Sequence, residues 1–293
     1  MIELFKDLFE YQFLINAVIA ALLVSVVAGI VGTYITSRRL VFLSGGITHA
    51  SFGGIGIAYY IGINPVIGAV VFSILSAFGI EALSHRKSIR EDSAIGILWA
   101  FGMAIGIIFI FLTPGYAPNL LSFLFGSILT VTHSDLIYLL ILNIVVILFF
   151  TFFYRQILYI AFDQEFARTQ KIPVNLMNYI LIAFIAIAIV LSIRVVGIIL
   201  LISLFTIPPA TANIFSHHFG KIIFWSILLS FLGSFIGLLL SYSMNIPSGA
   251  AIVVVLVFMF GIVKLLYSLF NQVKRKSAMA FVDNLNSNKI KSA

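Results

Sequence analysis

Apolar runs of about 20 residues recur from one end of this 293-residue chain to the other, and they leave few folds open. A run of that length crosses a bilayer as a helix. Charged residues make up 9% of the chain, against about 25% in a soluble domain. No polar stretch is long enough to build a separate soluble domain. The alternating ten-residue segments of a membrane β-barrel are absent. The sequence therefore predicts an all-α polytopic membrane protein with about eight or nine transmembrane helices.

The spans fall at roughly 13–36, 38–62, 66–84, 93–113, 136–154, 177–193, 195–215, 222–242 and 250–270. Residues 1–12 read as an amphipathic lead-in at the membrane surface, since Glu3, Lys6, Asp7 and Glu10 make an acidic start rather than a cleavable signal. Residues 13–272 form the transmembrane domain. Residues 273–293 read as a basic cytoplasmic tail, disordered beyond about residue 277. The segment 119–135 is apolar but short, and suits a re-entrant or surface half-helix. The formal charge of +7 is topological. With the N-terminus outside and nine crossings, only Lys6 and Arg194 of 17 basic residues fall away from the cytoplasmic face. The chain has no cysteine, no P-loop, no zinc-protease motif and no acidic cluster for magnesium.

Within this frame, the span RRLVFLSGGITHASFGGIGIAYYIG at 38–62 is unusual. It carries one titratable residue after Arg39, His49, about ten residues or roughly 15 Å from the cytoplasmic end. That is near the midplane. Gly45, His49, Gly53 and Gly56 share a helix face. Small residues let helices approach closely, and an imidazole at that depth marks either a functional site or a hydrogen bond to a neighbouring helix. Pro208 and Pro209 interrupt the 195–215 span, with Thr206, Thr211 and Asn213 nearby. They read as a break that frees carbonyls or as a packing kink. The polar loop 155–176 holds a short helix-forming run with Asp163, Glu165, Phe166, Arg168 and Lys171, a solvated loop or a docking surface. His133 and Asp135 at the outer face suit a weak metal contact or, more simply, a helix cap formed by Ser134 or Asp135. His85, His217 and His218 read as solvated.

Five blocks in order resemble the ABC-3 permeases of metal importers. They are SGGITHASFGGIGIAYYIG at 44–62, EDSAIGI at 91–97, LLSFLFGSILTVTHSDL at 120–136, FDQEFARTQKI at 162–172 and VGIILLISLFTIPPATANIF at 196–215. The resemblance implies an importer-type permease related to the vitamin B12 permease fold, in a prokaryotic cell membrane. It implies a divalent metal (zinc, manganese or iron) as transported substrate and no permanently bound cofactor. The implied partners are a cytoplasmic ATPase dimer, an extracytoplasmic metal-binding protein and a second permease chain, with ATP hydrolysed by the partner. It also implies a metal path at His49, with Gly45 one turn before it, and coupling to the ATPase through Asp163, Glu165, Phe166 and Arg168; the Thr206 hydroxyl, read from the sequence around the prolines, is a further candidate on that path. Family members that carry zinc or manganese typically have an aspartate where this chain has Gly45. The competing class, an ion-coupled secondary transporter, needs membrane-embedded carboxylates, and Glu81 is the only acidic residue within a span.

Overall fold

The computed structural model describes residues 10–85, 90–114 and 128–291. The N-terminal lead-in and most of the 119–135 segment lie outside the described residues. Of the latter, the described part is a 3-10 turn, Ile128–Thr130, followed by the cap and first turn of the next helix. The described helices are α1 (Gln12–Ser37), α2 (Val41–Ile61), α3 (Pro65–His85), α4 (Glu91–Leu112), α5 (His133–Phe152), α6 (Tyr154–Phe162), α7 (Gln164–Thr169), α8 (Val174–Val196), α9 (Ile198–Phe215), α10 (Phe219–Met244) and α11 (Ser248–Lys291). Among them nine are long and apolar enough to cross a membrane, all but α6 and α7. The apolar part of α11 ends at Gln272, and helix continues to Lys291 where the sequence suggests disorder.

Two helices form the centre. α1 is buried along most of its length, with Ala17, Ala20, Val24, Val27 and Ala28 fully enclosed. α2 is buried through glycine. A Cβ on Gly54 would run into the Gly68 carbonyl of α3, and one on Gly56 into the Gly106 carbonyl of α4. A Cβ on Gly106 would in turn lie 2.5 Å from the Phe52 carbonyl oxygen, and one on Gly102 would lie 2.6 Å from Ala50 Cα. Backbone therefore meets backbone along the α2–α4 and α2–α3 seams. This is how helices associate where lipid removes any hydrophobic drive between them. The outer helices present Leu and Ile instead. Ile67, Val71 and Leu75 line the outside of α3, and Ile137, Ile141, Ile144 and Leu148 that of α5. An apolar exterior is the surface a bilayer requires.

The helix ends sort by charge. Arg38, Arg39, Arg155, Arg168, Lys171 and Lys221 gather at one end of the bundle, here the basic end. α1 closes there with Leu40 N donating to Ile35 O (2.8 Å) and Arg39 N to Thr36 O (3.2 Å). Arg39 takes a left-handed φ of 59°. Lys171 does the same after α7, at 58°. Glycine is the usual residue at such a cap, so positive charge stands at two positions where conformation alone would favour glycine.

Two expectations change. Pro208 and Pro209 do not interrupt α9, which is continuous from Ile198 to Phe215 with both prolines buried inside it. The carbonyls their missing N–H groups release are those of Leu204 and Phe205. At the second, α1 comes close enough that a Cβ on Gly32 would lie 2.7 Å from the oxygen. The break lies instead at Gly197, whose φ of 78° and ψ of 169° turn α8 directly into α9. Val195 and Val196, read from sequence as the start of the next span, end α8. The polar loop 155–176 is mostly the two short helices α6 and α7.

Candidate functional site

His49 sits in the middle third of α2, half-buried. Its ring stacks on the indole of Trp99 from α4, with centroids 4.2 Å apart and planes within 6°. Nδ1 is buried and has no hydrogen-bond partner, while the ring as a whole is half-exposed. The ring is held by stacking rather than by a carbonyl of a neighbouring helix. The glycine seams make this possible. They bring α2 and α4 so close that a side chain from each, near the level of Gly102 and Ala50, lies flat on the other.

The face expected to run from Gly45 to Gly56 is only partly open. Gly53 packs against Phe72 and the Gly102 carbonyl, and Gly56 against Gly106. Only Gly45 faces space, with nothing within 4 Å of where a Cβ would stand. Gly96 on α4 likewise meets nothing within 4 Å, and it is exposed where Gly45 is buried. The room for a side chain therefore lies at Gly45 and Gly96, beside His49 and Trp99. Thr206 does not join it through any hydrogen bond or ring contact among the described residues. Its hydroxyl donates to Ile202 O (2.8 Å) in its own helix. Among the described residues no three of His, Asp and Glu come together to hold a metal.

Asp135, two residues after His133, is taken up by protein partners. Thr132, not Ser134 or Asp135, caps α5. Asp135 completes a capping box, its Oδ2 accepting from Thr132 N (3.1 Å) and Thr132 Oγ1 (2.7 Å). Its Oδ1 meets Arg194 Nε of α8 at 2.8 Å. This pair lies on the wall of a cavity of about 750 Å³ at the end opposite the basic one, also lined by Ser51, Tyr59, Asn64 and Thr132. Ser51 follows His49 by two residues and so points to the other side of α2. The cavity and the imidazole are separated by the thickness of that helix.

At the basic end, Asp163 caps α7, its Oδ1 accepting from Phe166 N (3.0 Å). Glu165 and Arg168 are exposed and 3.8 Å apart, a contact of little energy. Phe166 is half-exposed and meets Tyr159 edge-on, while Phe162 is 64% exposed. The inner side is closed, with Ile157, Ile160 and Ala167 fully buried. α6 and α7 thus offer an apolar and charged surface backed by a packed one.

Sequence reasoning missed Trp99, Arg194 as the partner of Asp135, and Arg38 as more than a topological charge. Trp99 is one of only two tryptophans in the chain, the one signal that marks it.

Residues 10–267 match the ABC 3 transport family, nearly the whole described chain. The chain belongs to that family. It is 40% identical over 255 residues to an uncharacterized membrane protein of Synechocystis, covering 87% of this chain and 91% of that one. It is 34% identical to the manganese transport system membrane protein MntC of Listeria monocytogenes, again over 87% and 91%. Among solved structures it resembles PsaBC from Streptococcus pneumoniae in complex with Fab, with a TM-score of 0.81 and 32% identity over 90% of this chain and 95% of that one. A metal-chelate type ABC transporter in an inward-facing conformation shares the fold at a TM-score of 0.70 and 13% identity, over 88% and 87%. This ABC 3 family member is accordingly a multi-pass permease of the ABC type.

Proposed function

We propose that this chain is the membrane permease of an ABC importer for a divalent metal ion, and that two copies enclose the path between them. The observation that carries the reading is His49, a half-buried imidazole in the middle of a crossing helix whose Nδ1 has no hydrogen-bond partner. It is not part of the interior cavity wall and stands beside the exposed Trp99. A second copy packed on that side would bring a second imidazole to the same path. Relatives named for manganese transport support a first-row divalent cation as the substrate.

The chemistry follows from the ligand. A neutral imidazole offers one lone pair from a ring nitrogen, a borderline donor suited to manganese, iron or zinc. A single ligand per copy binds weakly, and weak binding is what passage requires, since an ion held tightly would not leave. No carboxylate strengthens the site where relatives of known metal uptake typically carry one, because that position is Gly45. The energy comes from ATPase subunits docked at α6–α7, with Phe162, Glu165 and Phe166 as the contact surface. An extracytoplasmic metal-binding protein delivers the ion at the opposite end. The basic end then faces the cytoplasm, as the distribution of Lys and Arg favours, with the C-terminus on the same side and the chain in the cell membrane of a prokaryote.

The test is metal uptake by element-resolved mass spectrometry in cells expressing the chain with its ATPase and binding protein. Wild type should accumulate one of manganese, iron or zinc. His49→Ala should abolish that accumulation with unchanged protein in the membrane. Full uptake by His49→Ala would remove the imidazole from the path.

A further inference from the structure

We infer that Arg38 is the positioning residue that ties α6 and α7 to the helix carrying His49. The inference rests on the importer reading above and adds to it the route by which force on α6–α7 reaches α2.

Arg38 is the C-cap of α1, its backbone N–H donating to Tyr34 O (3.0 Å). Its side chain turns away from solvent, although its neighbour Arg39 is exposed. Nη1 donates to the Ile160 carbonyl of α6 at 3.2 Å. Gln164, the first residue of α7, meets the same guanidinium. With its amide oxygen turned inward, the orientation that satisfies both ends of the amide, it accepts from Nη1 at 3.1 Å and Nη2 at 2.6 Å. The same oxygen accepts from Asn178 Nδ2 of α8 at 3.2 Å. Tyr34, 1% exposed, lies beside the guanidinium. One planar cation therefore joins α1 to α6 and α7, and through Gln164 to Asn178 of α8.

Topology needs none of this. A basic residue serves the positive-inside rule from any exposed position, as Arg39 does. What the packed position provides is a rigid fork with donors fixed in one plane, able to hold two short helices to a third. The next feature along the chain is the α1–α2 turn. Its backbone is fixed by the two bonds from Arg39 and Leu40, and α2 begins at Val41. Between the guanidinium and the His49 helix there is no slack segment. A push on the exposed side of α6–α7, where Phe162 and Glu165 stand out, is carried by Ile160 and Gln164 into Arg38 and so into the foot of α2.

The experiment uses the full chain assembled with its ATPase in proteoliposomes, with its metal-binding protein supplied on the side opposite the ATPase. Mn²⁺, Fe²⁺ and Zn²⁺ are presented singly, and both ATP hydrolysis and metal moved per ATP are read. Arg38→Gln removes the charge and the fork, Arg38→Lys keeps the charge alone, and Gln164→Leu leaves Arg38 intact. Metal moved per ATP should fall about three- to thirtyfold in Arg38→Gln, while ATPase still co-purifies and hydrolyses. Arg38→Lys should fall between Arg38→Gln and wild type, and Gln164→Leu should fall several-fold. An unchanged ratio in folded Arg38→Gln overturns the inference. So does a parallel loss of hydrolysis and transport, which would make Arg38 part of the docking surface only. If Arg38→Gln does not fold, the ratio in Gln164→Leu decides in the same way. A wild type that binds no ATPase or moves none of the three metals sinks the importer reading and this inference with it. A working wild type with fully coupled variants sinks this inference alone.

Discussion

Two glycines nine residues apart on α2, Gly45 and Gly54, are indistinguishable by residue type and opposite in role. Gly54 is pressed against the Gly68 backbone of α3, so that any Cβ must displace a helix. Gly45 has nothing within 4 Å. The first glycine is there because a neighbour is close, and the second has no packing reason within this chain. The comparison separates a seam that builds the fold from an opening beside His49 that the fold leaves free. A small-residue stripe therefore carries two meanings, and only the distance to the next helix tells them apart.

The largest expected effect tests the closed side. Gly54→Ala should destabilise by about 3 kcal/mol or more, since overpacking at a backbone contact cannot be relieved by a rotamer change. Folded, monodisperse protein after detergent extraction would show it as a loss of most of the yield. A normal yield would mean that the seam is looser than drawn. Next comes Asp135→Ala, which leaves Arg194 without its carboxylate at the cavity wall. The pair is open to solvent on the arginine side, so a cost of about 1–2 kcal/mol is expected, visible as a lowered Tm in detergent. Asp135→Ala combined with Arg194→Gln should cost less than the sum of the two single changes.

On the open side the expected effects on stability shrink and change sign. Gly45→Ala should stabilise α2 by up to about 1 kcal/mol, because alanine is the better helix former and nothing obstructs it. A destabilisation like that of Gly54→Ala would erase the distinction between the two glycines. Gly45→Asp places a carboxylate one turn from His49 and should lower Tm, because a charge inside a span is poorly solvated. Uptake competition among Mn²⁺, Fe²⁺ and Zn²⁺ should then shift relative to wild type if His49 lies on the path. Trp99→Leu should lower uptake several-fold with no change in membrane protein level, since the ring it stacks on is no longer held flat.

Much of the architecture was legible before any coordinates. Hydrophobicity is carried residue by residue, and a run of apolar side chains crosses lipid wherever its neighbours end up. The nine spans, the basic end and the short-helix surface at Phe162–Arg168 follow from that. The histidine was legible too, because an ionisable group in such a run is conspicuous. The misread features depend on pairing. Pro208 and Pro209 read as a break or as a packing feature, and the structure keeps them inside one helix with α1 against Phe205. Asp135 does serve the cap of α5, as the acid of its capping box, but nothing local shows that Arg194 comes to it from 59 residues away.

The sequence by itself determined that the chain is a helical bundle in a membrane, which segments cross it, where positive charge accumulates and that one imidazole lies deep in a span. Those are sums over local side-chain chemistry. The tertiary structure decided which glycines are contacts and which are openings, that Trp99 holds His49, and that Arg38 is packed while Arg39 is free. Such choices depend on a few ångströms between residues far apart in the chain, and no local property of the sequence encodes that distance.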